Sequence, residues 1–317
     1  MKVLVVGCGA VGGYFGGRMA ANGVDVTFLV RAARQQQLKQ HGLQIQSPRG
    51  DVHIPVTSCT IDQPLPAADV VLLCCKAYDL AACLEVLAKS LPEHCLVLPL
   101  LNGLAHYAQL QSALPQAHLL AGYCNISAVL GERGEICHLN QIHELTLGHY
   151  QGTSENTSDL LKHDTQYQQL LSTLQQGGFV VRDSSNIVQE LWEKFVFINT
   201  LAGATCLLQG DIGQINQTAQ GQQVVQRLLA ECQSVAAACG FAVSRRADKL
   251  AKDAFLNPQS RFSASMYKDM QAKRQIEADA LFGEMLRQAN AQDLDVPLLT
   301  AAYSRAAVYL QQANHAC

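Results

Sequence analysis

Lys2-Val3-Leu4-Val5-Val6-Gly7-Cys8-Gly9-Ala10-Val11-Gly12 decides the fold of this chain. A short, largely β-branched run feeds directly into Gly-x-Gly-x-x-Gly. Such a run suits a parallel strand buried on both faces. Each glycine meets a separate steric demand. Gly7 permits the tight turn out of the strand, Gly9 lets backbone approach a pyrophosphate, and Gly12 lets the next helix pack closely on the sheet. That helix is predicted over 13–22, ending at Asn22-Gly23, and its N-terminus offers free amides and a positive dipole end to phosphates. Asp25 to Val30 reads as the second strand. The pattern predicts dinucleotide binding.

Composition narrows the rest. A chain of 317 residues, 49% of them hydrophobic, is long enough for two domains. A net charge of −3 gives no reason to expect nucleic acid or an anionic membrane as partner. The longest apolar run, Phe195 to Leu208, is interrupted by Asn199 and reads as too short for a membrane span. The first strand begins after one lysine, so a signal peptide is not expected and a cytoplasmic location is. None of the 12 cysteines forms Cys-x-x-Cys, and in a reducing compartment they read as small buried hydrophobes. Cys137, His138, His143 and His149 lack zinc-site spacing, and no metal is expected.

Further along, residues 70–75, 95–98 and 179–181 read as strands, with helices over 80–89 and 159–176. Stretches 119–129, 135–139 and 144–147 read as strands without intervening helices. Residues 1–183 are therefore expected to form an α/β, Rossmann-type doubly wound sheet with an antiparallel extension. The character changes at Asp183-Ser184-Ser185. Residues 184–317 are expected to be all-helical, over 191–207, 222–239, 247–255, 262–289 and 298–312. Two unlike domains, one with a cofactor motif, place the expected site in the crevice between them.

The cofactor's identity is read about 20 residues past the glycines, where NAD-binding folds carry Asp or Glu. Here that position holds Arg31, with Arg34 one turn later. A guanidinium bonds a 2′-phosphate that a carboxylate would repel, which favours NADPH. Lys76 and Asn102 follow two other apolar strand runs, at the strand ends where doubly wound sheets bind ligands.

The helical half carries its own signal. Asn186 and Gln189 predict a capping box. At 100° per residue, Ile187, Leu191, Lys194, Ile198, Ala202 and Thr205 share one face. A charge on that apolar face costs several kcal/mol unless paired or functional. Lys194 is accordingly the candidate catalytic residue.

A partner motif lies downstream: Ser265-Met266 with Asp269, Arg274, Glu277 and Asp279. Together with Gly7 to Gly12, Lys76-Ala77, Asn102-Gly103 and Leu191-Trp192-Glu193-Lys194, the chain resembles the ketopantoate reductase (2-dehydropantoate 2-reductase) family over its full length. The resemblance implies a 6-phosphogluconate-dehydrogenase-like pairing of the Rossmann-type and all-helical domains, and NADPH-dependent reduction of a 2-keto acid, in the pathway to pantothenate and coenzyme A. It implies that Gly7, Cys8, Gly9, Ala10, Val11 and Gly12 hold the pyrophosphate and Arg31 the 2′-phosphate. Lys76 and Asn102 would lie at the nicotinamide end, and Ala128 would touch the cofactor through its backbone. Lys194 would protonate the ketone, Asn102 and Ser265 would help bind the substrate, and Glu277 would neighbour both the lysine and the cofactor ribose.

Two departures bear on that reading. Family members often carry asparagines four and eight residues after the lysine, where this chain has Ile198 and Ala202. A site without those amides cannot read a substrate hydroxyl, and favours a more apolar 2-keto acid. On one unbroken helix, Ser265 and Glu277 would lie ~18 Å apart, too far to grip one small substrate. Lys273-Arg274-Gln275 gives no stop signal, so either packing imposes a turn or one residue stands away from the substrate. Other readings stay open: an opine-type or 3-hydroxyacid dehydrogenase, or an NADPH-binding sensor without turnover. A homodimer through the helical domain is also left open.

Overall fold

A computed structural model of the chain describes residues 1–150 and 165–315. The described residues pack as two compact units. One joins Met1–Leu101 with His106–Val188; the other joins Asn102–Ala105 with the chain from Gln189 onward.

The first unit is built on ten strands: β1 Lys2–Val6, β2 Asp25–Leu29, β3 Leu43–Gln46, β4 Val52–Ile54, β5 Thr57–Cys59, β6 Val70–Leu73, β7 Leu96–Pro99, β8 His118–Leu130, β9 Ile136–His149 and β10 Val180–Asp183. Their order is β4-β3-β9-β8-β7-β6-β1-β2-β5, with β10 also pairing β9. From β5 to β8 every pairing is parallel. The β8–β9 pair is antiparallel and continues the sheet. This is the doubly wound sheet with an antiparallel extension expected above. Strand order reverses between β1 and β6, and the carboxyl ends at that switch point are where such sheets bind ligands.

Alternation along the parallel strands explains why they read as unbroken apolar runs. Val3, Val5, Val70 and Leu72 enter one core with Tyr14, Phe15 and Met19 of helix α1 (Ala10–Ala21). Leu4, Val6, Val71 and Leu73 enter the other, with Leu80, Leu84 and Leu87. Both faces are covered, so every position from Val3 to Val6 and from Val70 to Leu73 is apolar. Leu4 is 0% exposed, and truncating such a side chain to alanine costs about 2–5 kcal/mol.

The remaining helices of this unit are α2 Ala32–His41, α3 Leu80–Ser90, α4 His106–Ala113 and α5 Thr165–Gln175. The start of the helix expected over 159–176 lies outside the described residues. Helices α2 and α4 and strands β3 to β5 add to the expected elements. In α2 only Gln35 and Leu38 are buried, so its sequence carries almost no apolar period.

The second unit centres on α6 Ile187–Leu208. At 22 residues this helix extends the expected apolar run Phe195 to Leu208 toward the N-terminus, and by length and composition alone it could cross a membrane. Yet 67% of its apolar window is buried inside the structure, as in the core helix of a folded domain. The capping box expected at its start does not form. Asn186 N–H donates to Ser184 Oγ, while the Gln189 amide donates to Glu193 and to the Ala242 carbonyl. A capping box does form between Asp211 and Gln214 at α7 Ile212–Asn216.

Helices α8 Gly221–Ala238, α9 Arg245–Phe255, α10 Ser265–Gln271, α11 Glu284–Ala291 and α12 Pro297–His315 follow. The single helix expected over 262–289 is therefore broken. After α10, Arg274 N–H donates to Asp269 O at 2.8 Å and Lys273 N–H to Met270 O at 3.1 Å. These are the two hydrogen bonds of a Schellman stop, with Lys273 at φ 54 where glycine is usual. The Tyr309 hydroxyl of α12 donates to the Arg274 carbonyl at 2.7 Å and fixes the loop that follows. The turn thus forms without glycine, with a contact from α12 supporting its exit. The chain resumes in one π-helical turn, Asp279–Gly283.

Candidate active site

The glycine turn is shaped by three steric requirements. Gly7 leaves β1 at φ +96, and its N–H donates to Leu29 O at 2.9 Å. A Cβ there would lie 3.0 Å from the Cys74 carbonyl oxygen. A Cβ on Gly12 would lie 2.1 Å from the Gly7 oxygen, so α1 can approach the strand only without a side chain at that point. Gly9 differs: a Cβ there would meet nothing within 4 Å. The backbone at Gly9 faces open space, as access for a ligand requires. No side chain caps the N-terminus of α1 and its first turn holds no acid, so the amides and dipole of Ala10 and Val11 are not opposed by negative charge.

Neighbouring side chains brace the turn. Arg34 Nε donates to the Cys8 carbonyl at 3.0 Å and Nη1 to the Gly134 carbonyl at 2.8 Å. Arg34 thus ties the glycine turn to the β8–β9 hairpin, a structural task the sequence did not reveal. Burial pushes the Cys8 thiol up despite the nearby Arg34 charge, so it stays neutral and acts as apolar wall.

Arg31 sits past the end of β2 at the N-cap of α2, its side chain 75% exposed, and pairs with Asp79. Asp79 closes the short 3-10 turn Ala77–Asp79, and half-buried Lys76 occupies the N-cap of that turn. Asp79, three residues after Lys76 and beyond the end of β6, was not among the expected site residues, and it enters here through its pair with Arg31. Ala128 lies half-buried on β8 at a break in register: pairing passes from Ile126↔His143 to Ala128↔His138. The intervening residues of β9 bulge, held by His138 Nε2 with Ile142 O and by Arg49 on Gln141 O. His138 and His143 also bond Ser47 and Tyr14, respectively. Among the described residues no group of three or more metal-ligating side chains occurs.

In the helical unit the face of α6 is buried at both ends, at Ile187, Leu191, Ala202 and Thr205. It is half-buried between them, at Lys194 and Ile198. Lys194 therefore sits where an otherwise apolar face is partly accessible. Asn199, next to Ile198, turns away: it is 0% exposed and its amide donates to Phe195 O at 2.9 Å. Glu193 is engaged elsewhere, accepting from Ser244 N–H at 2.9 Å.

Half-buried Glu277 lies in the loop between Lys273 and the π-turn, and its carbonyl accepts from Leu281 N–H. Exposed Asn102 belongs to the Asn102–Ala105 loop, which packs with the helical unit. Gly103, at φ +90, approaches so closely that a Cβ would be 2.6 Å from the Ala280 carbonyl. The structure thus brings Asn102 to the segment just after Glu277, although 175 residues separate them in sequence, counting from 102 to 277. Ser265 is exposed at the first position of α10, and the break at Lys273 removes the straight-helix separation from Glu277. A surface concavity lined by Lys39, His41, Gln44 and His53 contains none of these residues.

Fold and glycine turn together define a Rossmann-type dinucleotide-binding protein. The comparisons with known proteins agree and go further. Residues 3–152 match the family model "Ketopantoate reductase PanE/ApbA" and residues 186–309 match "Ketopantoate reductase PanE/ApbA C terminal". The chain belongs to the ketopantoate reductase family. It is 31% identical to an uncharacterized oxidoreductase, YkpB, of Bacillus subtilis, over 98% of this chain and 99% of that one. It is 27% identical to a 2-dehydropantoate 2-reductase of Halobacterium salinarum, over 94% and 95%. Among solved structures, a PanE/ApbA family ketopantoate reductase from Ralstonia eutropha has a TM-score of 0.85 at 24% identity, covering 99% of this chain and 100% of that one. A D-mandelate dehydrogenase with NADH and anilino(oxo)acetate has a TM-score of 0.86 at 21% identity, with the same coverage.

Proposed function

We propose that the protein is an NADPH-dependent 2-keto acid reductase that reduces ketopantoate to pantoate, acting in the cytoplasm. The observation that carries this reading is Lys194, a cation at the accessible middle of an apolar helix face. When bound, the dinucleotide supplies hydride to the 2-keto carbon. The electron pair of the carbonyl bond moves to oxygen, and the Lys194 ammonium stabilises that charge and donates its proton there. Glu277 keeps Lys194 protonated and contacts the cofactor ribose. Asn102 and Ser265 hold the substrate, with Ser265 at its carboxylate.

Gly7, Cys8, Gly9, Ala10, Val11 and Gly12 hold the pyrophosphate, Lys76 and Asn102 the nicotinamide end, and Ala128 touches the cofactor through its backbone. Arg31 exchanges Asp79 for the 2′-phosphate, so Arg31→Ala should weaken NADPH about tenfold or more while leaving NADH unchanged. Equal losses for both, measured by fluorescence titration, would instead assign Arg31 to structure. We place the cofactor domain at 1–183 and the substrate domain at 184–317. A homodimer is part of the proposal, supported by a likeness to a dimeric ketopantoate reductase from Staphylococcus aureus.

A second reading is favoured by Ile198 and Ala202, which offer no hydrogen bond one and two turns beyond Lys194. It assigns a more apolar 2-keto acid. Following NADPH absorbance with ketopantoate and with aliphatic and aromatic 2-keto acids tests both. Rapid oxidation with ketopantoate supports the first, and preference for an apolar acid supports the second. Tight NADPH binding with no turnover across the panel would overturn both in favour of a sensor.

A further inference from the structure

Cys74 and Cys75 are adjacent beyond β6, so their side chains enter opposite faces of the sheet. Cys74 packs into the core that contains Tyr14 and Phe15. Cys75 packs into the other, where Cys83 of α3 also lies. The two thiols pack against the same core close enough to influence each other's ionisation, and both are half-buried rather than sealed. Between them the chain makes the Lys76–Asp79 turn, whose carboxylate holds Arg31. A close thiol pair, partly accessible and beside a guanidinium, is the arrangement that permits reversible oxidation. The other cysteines near the glycine turn lack it: Cys8 is buried and Cys74 is held neutral by burial.

We propose that Cys83 and Cys75 form a peroxide-sensitive dithiol that controls the Lys76–Asp79 turn. Cys83 is the attacking group. Its acidity is raised by the neighbouring Cys75 thiol and by the Arg31 charge, against burial and the Asp79 carboxylate. Its thiolate attacks a hydroperoxide; the S–O bond forms, the O–O bond breaks, and the departing alkoxide or hydroxide takes a proton. Cys75 then attacks the Cys83 sulfenic acid. The S–S bond forms, the S–O bond breaks, and water leaves with the Cys75 proton. Two thiols lose two electrons and the peroxide gains them. The linkage draws α3 toward the end of β6 and displaces Asp79, and with it Arg31.

The effect on cofactor rests on the function proposed above; the oxidation itself does not. The test treats the intact protein with stoichiometric hydrogen peroxide, digests it with trypsin without reductant, and measures masses. Cleavage after Lys76 puts Cys75 and Cys83 on separate peptides. A cross-linked pair two hydrogens lighter than their sum is expected, reversed by dithiothreitol and absent in both Cys83→Ser and Cys75→Ser. Oxidised protein should also bind NADPH about tenfold more weakly, the size of one lost charge-assisted contact. Cys83→Ser should bind it as reduced wild type does, before and after peroxide. Absence of the linkage, its persistence in Cys75→Ser through Cys74, or linkage with unchanged NADPH affinity would overturn the proposal. If reduced wild type fails to bind NADPH, the functional reading falls, and the mass measurement still decides the dithiol.

Discussion

At the glycine turn and at the turn after α10, the backbone leaves its ordinary conformations by opposite means. Gly7, at φ +96, and Gly12, with no room for a Cβ, satisfy demands that no other residue meets. Lys273, at φ 54, takes a conformation that glycine would occupy more easily. It is held by the Schellman hydrogen bonds, and the next residue by Tyr309 from a helix 35 residues on. A demand that only one residue type can meet is written into the sequence. A turn closed from a distance is not.

Substitution can break this contrast. The largest effect is expected for Gly12→Ala, whose methyl must displace the Gly7 carbonyl. It should destabilise the protein by about 3 kcal/mol or more, read as a lowered urea midpoint. Gly9→Ala, placed in open space, should leave the midpoint unchanged and weaken only the dinucleotide. Equal stability for the two variants would remove the steric explanation.

The α/β half should also yield to acid first. His106 is 4% exposed, its Nε2 has no hydrogen-bond partner, and burial holds its pKa at about 3 against an ordinary 6.5. Neutral in the fold and chargeable once unfolded, it gives its full contribution above pH 6.5 and loses it as pH falls toward 3. The loss should run at roughly 1 kcal/mol per pH unit. His106→Leu should flatten the fall in urea midpoint between neutral pH and mild acid; an unchanged slope would place the acid sensitivity elsewhere.

The smallest effect sharpens the contrast most. Lys273→Gly should stabilise by about 0.5–1 kcal/mol, because relief of the left-handed conformation exceeds the entropy glycine adds to the unfolded chain. Activity should not change. A loss of stability would mean that the lysine side chain, not its distant partners, makes the turn.

The same division explains how much could be read in advance. The parallel strands, the glycine turn and the helical second half carry local patterns and were legible. The break between Ser265 and Glu277 was not, because its hydrogen bonds come partly from Tyr309. Asn102 was legible as a strand-end residue, but its packing beside Ala280 depends on Gly103 fitting a carbonyl far away in sequence. Arg34 read as a ligand-facing charge because sequence shows the guanidinium and not the Cys8 and Gly134 carbonyls it serves. Asp79 was overlooked because the acidic position expected of such folds lies after β2, not beyond β6.

Single-turnover oxidation of bound NADPH by the preferred 2-keto acid, in wild type and Lys194→Ala, tests the proposed chemistry most directly. Loss of the proton donor should slow the step by about a thousandfold or more with NADPH affinity unchanged. A variant that oxidises NADPH within a few-fold of the wild-type rate would contradict the assignment of Lys194 as proton donor.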